Sequence, residues 1–238
     1  MRILITNDDG VMAPCLPHLV RWARGLGEVT VVAPKVEQSG MSHAIDFTRP
    51  IEIKEISIAE DVTAWSMDST PADCVRFAIL GLGLKPDLII SGINRGFNLG
   101  QDIVYSGTCG AIFEGARLGI KGIAFSTSPE SFDYAISRLS SIWEIIEEKK
   151  LLERNNLYNI NIPPQDKGVC FTRQGGIYFG DEFVNIGGDM YEQRGGKVET
   201  DSCDLTLDTD AVNHDYLSIT PLTHVRTNLD VFNSLISE

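Results

Sequence analysis

Cysteine is sparse and unpaired in this 238-residue chain: Cys15, Cys74, Cys109, Cys170 and Cys203 stand far apart, with no CxxC pair. An odd, scattered set of five suits neither a disulfide scaffold nor a zinc ribbon, so reduced thiols in a cytosol are expected. Long apolar runs are missing too. The N-terminus reaches Asp8 and Asp9 after one short run, and nothing approaches the roughly 18 apolar residues of a membrane span. No export signal is visible, so a cytoplasmic location is expected. Positive charge is scarce, with 20 Lys and Arg against 33 Asp and Glu and a net charge of −13. Such a surface repels phosphate backbones and anionic lipid, which argues against a nucleic-acid duplex or a membrane as partner. An anionic ligand would need a local remedy, a bound cation or a helix N-terminus. Glycine and proline, 22 and 10 residues, fall short of low-complexity composition, and 43% hydrophobic residues suffice for a core. Disorder and collagen are excluded.

What is present is a recurring short apolar run. Residues 2–6 form one, as expected for a central strand covered on both faces. Others fall at 29–33, 87–91, 122–126, 158–162 and 216–220, with a further run from Val62 to Met67. Between the first two, Leu16, Leu19, Val20, Ala23 and Leu26 recur at helical spacing, and Gly25 and Gly27 supply a C-terminal stop. Thr70-Pro71-Ala72-Asp73 reads as cap, first-turn proline and acid, predicting a helix to about Leu80. Ser128-Pro129 opens another, with Phe132, Ala135, Ile136, Leu139, Ile142, Trp143 and Ile146 on its apolar face. Strand and helix alternate to about residue 162, the pattern of a Rossmann-like α/β three-layer sandwich with a mostly parallel, doubly wound sheet. The glycine-rich stretch 168–200 reads as hairpin or loop outside that sheet, and 221–238 as a terminal arm or helix. One domain spanning 1–238 with these two extensions is expected.

In such a sheet, ligands bind at the carboxyl ends of the strands. The residues there are unusually polar: Asn7-Asp8-Asp9-Gly10, Gln38-Ser39-Gly40, Met67-Asp68-Ser69 and Ser91-Gly92-Ile93-Asn94. Two adjacent carboxylates repel unless a cation sits between them, and a hard divalent ion with oxygen ligands resolves the conflict. The same letters also make a plain turn with an Asx cap. The loop from Gly92 to Gly100 has a glycine at every fourth position and amides between, which lets backbone N–H groups approach an anion. Tyr105-Ser106-Gly107-Thr108-Cys109-Gly110 then opens a helix to about Leu118, a hydroxyl-bearing start suited to phosphate; an ordinary N-cap explains those residues equally well.

Other candidates carry less. His18, His43, His214 and His224 lack zinc-site spacing, and only His43 is expected near the crevice. Asp73 reads as a capping carboxylate, Met41 and Met67 as packing residues. The acids Glu199, Asp201, Asp204, Asp208 and Asp210 read as a solvated loop. No GxSxG elbow is present, which argues against a serine hydrolase of the usual α/β kind.

Taken together, Ile5-Thr6-Asn7-Asp8-Asp9-Gly10, Val32-Ala33-Pro34 with Gln38-Ser39-Gly40 and Ser42-His43, Thr70-Pro71-Ala72-Asp73-Cys74-Val75, Ser91-Gly92-Ile93-Asn94 with Asn98-Leu99-Gly100, and Tyr105-Ser106-Gly107-Thr108 resemble the SurE family of metal-dependent nucleotidases. Asn159-Ile160-Asn161-Ile162-Pro163 and Ser218-Ile219-Thr220-Pro221-Leu222 extend the collinear match almost to the end. The resemblance implies a phosphatase acting on 5′- or 3′-nucleoside monophosphates with one divalent ion, Mg²⁺ or Mn²⁺, and a homodimer or homotetramer built through the C-terminal elaboration. It implies Asp8, Asp9, Ser39 and Asn94 as metal ligands, and Gly40, Asn98, Ser106, Gly107 and Thr108 around the phosphate. Asp8, Asp9, Asn98 and Ser106 are the catalytic residues it points to. Three departures bear on pocket shape and rim: Asp68-Ser69 and Asp215 stand where the family usually has glycine, and Gln101-Asp102 where an Asp-Asp pair is common.

The chemistry expected is in-line attack of water on phosphorus, with Asp8 or Asp9 as alternative general base or nucleophile. A phospho-acceptor receiver domain is a rival, since it too carries an acid pair after its first strand, and Asp68 would be the acceptor. Against it, Ile123-Ala124-Phe125 ends in Ser126-Thr127 rather than Lys, and the chain is about twice too long. A second rival is a nucleotide sensor without turnover.

Overall fold

The structure, a computed structural model, describes residues 1–58 and 62–237. The chain opens with β1 (Arg2–Thr6), buried from Ile3 onward. Next comes α1 (Leu16–Ala23), whose apolar residues at three- and four-residue spacing turn Leu16, Leu19, Val20 and Ala23 into the core. β2 (Glu28–Pro34) returns parallel to β1. A short strand absent from the sequence reading, β3 (Ile53–Ile56), pairs antiparallel with β4 (Thr63–Met67) at the sheet edge. Thr70 caps α2 (Pro71–Arg76), accepting from the Asp73 N–H, and the helix continues as a π-helical stretch over Phe77–Gly81.

β5 (Leu88–Arg95) is followed by a 3₁₀ segment over Gly100–Tyr105 and by α3 (Gly107–Arg117), capped by Ser106. β6 (Lys121–Thr127) leads to α4 (Phe132–Glu148). That helix begins three residues later than the Ser128-Pro129 signal suggests: Pro129 lies in a turn closed by the Ser131 N–H on the Ser128 carbonyl, 3.1 Å. The one-turn α5 (Leu151–Arg154) precedes β7 (Leu157–Ile162). β8 (Val169–Phe171) comes before a hairpin of β9 (Phe179–Gly187) and β10 (Met190–Lys197). The chain ends with α6 (Asp208–Asn213), β11 (Leu217–Leu222) and α7 (Leu229–Leu235).

The nine-stranded sheet runs β3-β4-β2-β1-β5-β6-β7-β11-β8. Its middle six strands are parallel; β11 pairs antiparallel with β7 and parallel with β8. The expectation that 168–200 lies wholly outside the sheet is corrected at β8, which joins its edge; only β9 and β10 form a separate antiparallel pair. One face is covered by α1 and α4, where Phe125 is wholly buried and Trp22 meets it edge-on at 6.1 Å. The other face is covered by α2 and α3 over Leu4, Val32, Ile89 and Ala124. The result is a Rossmann-like three-layer α/β sandwich with an antiparallel hairpin outside it.

Candidate active site

From β1 the chain builds outward to β2 and β4, then crosses back to β5 and builds the other way. The switch point therefore lies between β1 and β5, where a crevice opens at the carboxyl ends of both strands. Asn7 closes the turn after β1 with its own side chain: Nδ2 donates to the Gly10 carbonyl (2.9 Å) and Oδ1 accepts from the Gly10 N–H (3.1 Å). The Asx-type cap expected of this turn is thus made by Asn7, and Asp8 and Asp9 are left for other work.

A cavity of about 220 Å³ lies here, lined by Asp8, Ser39, Gly40, Asn94, Asn98 and Ser106 among the sequence candidates, and by Arg95, Phe97, Asp102, Tyr105, Phe179 and Asp181 besides. Asp9 is not on that wall; its Oδ2 accepts from the Arg95 N–H at 3.2 Å. Gly107 and Thr108 lie behind Asp8. The Thr108 hydroxyl is wholly buried and donates to Asp8 Oδ1 at 2.6 Å. A Cβ on Gly107 would stand 3.1 Å from the Asp8 Cβ, a tight contact, so glycine lets α3 start this close without displacing Asp8. At Gly92, with φ +128, a Cβ would run into the Phe125 carbonyl. There β5 slips its register against β6 and delivers Asn94 to the crevice.

Burial pushes the Asp8 carboxyl above its usual pKa, with the Thr108 hydroxyl opposing. Asp9 is pushed up to about 6, first by burial and then by the charge of Asp8. The basic residue nearest in sequence to Asn94, Arg95, directs its guanidinium to the Phe132 ring, 5.9 Å from the centroid. Among the described residues no ion pair reaches either carboxylate. The other polar atoms gathered here are oxygens with capacity to spare. The Ser39 hydroxyl donates to Glu37 (2.7 Å) and keeps its lone pairs; Asn94 uses Nδ2 on the Gly96 carbonyl (2.9 Å) and keeps Oδ1. Two crowded carboxylates, a hydroxyl and an amide oxygen are a donor set chemically suited to a hard divalent cation. Cys109 sits one residue past Thr108, but burial pushes its thiol up to about 12, so no thiolate nucleophile stands here.

Several placements differ from expectation. His43 turns away from the crevice. It lines a separate cavity of about 470 Å³ with Phe113 and His224, and its Nε2 lies 2.8 Å from Glu114. That cavity is larger, but none of its lining residues is acidic, and the strand-end chemistry lies in the smaller one. Met41 is exposed, not packed, whereas Met67 is buried. The Asp73 carboxylate, expected to cap α2, accepts instead from the Asp46 N–H and the Ser69 hydroxyl, and the cap is the Thr70 hydroxyl. Asp68 is bound by Arg49 at 2.9 Å, and with Ser126 and Thr127 ending β6 the receiver-domain arrangement is absent among the described residues.

Asp208 and Asp210 are buried, not solvated. Asp208 accepts from the Gly100 and Gly175 N–H groups. Sequence reasoning also passed over Glu37, whose charge raises both Asp8 and Asp9, and gave Asp102 no role. Asp102 Oδ2 accepts from the Tyr178 and Phe179 N–H groups, 2.8 Å each, and so fastens the root of the β9–β10 hairpin to the crevice rim. For Asp102 the signal was the acidic partner of Gln101 in a strand-end loop; for Glu37 it was one more acid beside Ser39.

The geometry defines a doubly wound α/β protein with an oxygen-rich crevice at its switch point. The sequence profile of the family described as survival protein SurE matches residues 3–181. A protein of Thermosipho melanesiensis named 5′-nucleotidase SurE is 40% identical over 248 residues, covering 99% of this chain and 96% of the relative. One of Thermus thermophilus named 5′-nucleotidase SurE 1 is also 40% identical, covering 93% and 91%. The crystal structure of the SurE protein from Aquifex aeolicus superposes with a TM-score of 0.80 at 32% identity, covering all of both chains. The chain belongs to the SurE family.

Proposed function

We propose that this protein is a metal-dependent phosphomonoesterase that hydrolyses nucleoside 5′- or 3′-monophosphates to nucleoside and phosphate. The observation that carries the reading is the juxtaposition of Asp8, at the end of β1, with the start of α3, locked together by the Thr108 hydroxyl. It puts Asp8 on the crevice wall beside an anion-binding helix N-terminus, with Asp9 next to it in the chain, and in a chain of net charge −13 a cation held by these acids would let a phosphate approach them. The names of the relatives support the same substrate class.

In this reading Asp8, Asp9, Ser39 and Asn94 hold one Mg²⁺ or Mn²⁺. When bound, such an ion polarises a phosphoryl oxygen and offsets negative charge. The chain's own groups do the rest. Ser106, whose oxygen already accepts from the Cys109 N–H, turns its hydroxyl proton to the phosphate, with the Gly107 N–H beside it. Gly40 and Asn98 close the pocket around the phosphate. A water attacks phosphorus in line and gives its proton to the acid pair; the nucleoside oxygen leaves opposite and takes up a proton from solvent, to which the acid pair then releases its own. Phe97, Tyr105 and Phe179 on the walls offer apolar surface to the nucleoside. The protein acts in the cytoplasm as one SurE-like domain, assembled into dimers or tetramers.

The test is phosphate release from a panel of nucleoside monophosphates with Mg²⁺, Mn²⁺ or excess chelator, beside Asp8→Asn. Turnover is expected only with metal, and loss of at least about a hundredfold in the variant. Full activity in chelator, or an unchanged rate in Asp8→Asn, removes the scheme.

A further inference from the structure

A central strand covered on both faces normally carries apolar side chains. β7 does so on the α4 side, with Tyr158, Ile160 and Ile162, but its other face presents Asn159 and Asn161, both wholly buried. A buried amide left without partners costs about 1 to 3 kcal/mol, so two in adjacent same-face positions require an explanation. Their strong bonds converge on one residue. Asn161 Oδ1 accepts from the Asn98 N–H and Nδ2 donates to the Asn98 carbonyl, both at 2.9 Å; Asn159 Nδ2 donates to the same carbonyl at 2.7 Å. The Asn98 side chain is fixed in turn, Nδ2 donating to the Ser126 hydroxyl of β6 at 2.8 Å. One residue of a glycine-flanked loop is therefore gripped through N–H, carbonyl and side chain by two core strands.

We propose that Asn159 and Asn161 are positioning residues that hold Asn98 at the phosphate pocket, an inference resting on the reading of Asn98 as a phosphate contact. Loops of this kind move unless tied, and a displacement of about 1 Å at a reacting group costs on the order of a hundredfold in rate. The two amides make β7, which bears no proposed contact of its own, part of the catalytic apparatus. If they merely filled space in the sheet, their loss would lower stability and leave the work of Asn98 untouched.

A double-mutant cycle separates these cases. Asn98→Ala, Asn161→Ala and the double variant are assayed for kcat/KM on AMP with Mn²⁺, with circular dichroism and melting to establish folding. Each single change is expected to lose about 10- to 100-fold, and the double variant no more than the worse single. Multiplying losses overturn the proposal. Should Asn161→Ala fail to fold, the same cycle is run with Asn159→Ala, which removes only one of two donors to the Asn98 carbonyl. Amide hydrogen exchange over residues 96–100 reads the same lock without turnover. Faster exchange there, with the rest of the sheet protected, supports it, and unaltered exchange refutes it. If the native enzyme releases no phosphate from any nucleotide, the nucleotidase reading fails while the exchange experiment still decides the lock.

Discussion

Two hydroxyls separated by one glycine have different jobs. Ser106 lines the crevice and uses its oxygen as the N-cap of α3, keeping its proton; Thr108 is fully buried and spends its proton on Asp8. Ser106→Ala therefore removes a cap worth about 1 kcal/mol and a phosphate donor together. A lower melting temperature and a raised KM are expected in thermal melts and steady-state kinetics. Thr108→Val keeps the shape and frees Asp8 Oδ1. Weaker Mn²⁺ binding by calorimetry is expected, and equal affinity would detach Thr108 from the metal site. Asp215 poses a different question, because it is a non-glycine residue that adopts φ +65. The left-handed region costs most L-residues about 1 to 2 kcal/mol, and aspartate tolerates it better than most. Its ion pair with Lys167 is half exposed and adds little. Asp215→Gly should leave stability within about 0.5 kcal/mol, while Asp215→Val should lose about 1 to 2 kcal/mol in urea unfolding; equal values for the two would show that backbone conformation is not the issue.

At the scale of elements, α2 and α3 are joined by a carboxylate surrounded by basic side chains. Glu114 on α3, 3% exposed, lies 2.8 Å from His43, 3.0 Å from Arg76 of α2 and 2.6 Å from Arg117. Burial alone would raise its pKa, but the three bases outweigh burial and bring it to about 2, below the usual 4.5. A folded pKa below the unfolded one means that the stabilisation is present above pH 4.5 and fades as pH falls toward 2. Urea unfolding of the native protein should weaken steeply across that window, and Glu114→Gln should flatten the dependence; an unchanged slope would show that another acid governs it. This cluster also marks where sequence reading stopped. The parallel strands were legible as apolar runs because burial on both faces leaves no alternation to misread, and the strand-end site followed because a doubly wound sheet brings those ends together. By contrast β3, four residues with Lys54 and Glu55 at its centre, carries no run, and its place at an edge is settled by β4 alone. The acids of α6 read as solvated because nothing local reveals that Asp208 meets N–H groups from residues 100 and 175. Asn159 and Asn161 were legible as a motif, but their partner lies some sixty residues away.

At the scale of the molecule, the surface of the described residues holds two apolar tracts that the sheet does not need. The β9–β10 hairpin exposes Phe183, Ile186, Met190 and Tyr191, and α7 buries nothing while exposing Leu229, Val231, Phe232 and Leu235, followed by exposed Ile236. A helix of seven residues is marginal in water without tertiary contacts, so its persistence argues for a covering partner. The natural candidate is a second copy. Stable interfaces bury about 1,600 Å², and at about 25 cal/mol per Å² of apolar surface the gross gain is tens of kcal/mol. Opposing it is the charge of −13 on each protomer, whose repulsion is screened beyond about 8 Å at physiological ionic strength. Light scattering should therefore give two or four times 26.2 kDa at micromolar concentration, with dissociation favoured by low salt and by dilution. Removing residues 223–238 should reduce the assembly, because it deletes α7 and leaves the nine-stranded sheet intact. A single 26.2 kDa species at high salt would show instead that these tracts are tolerated in water.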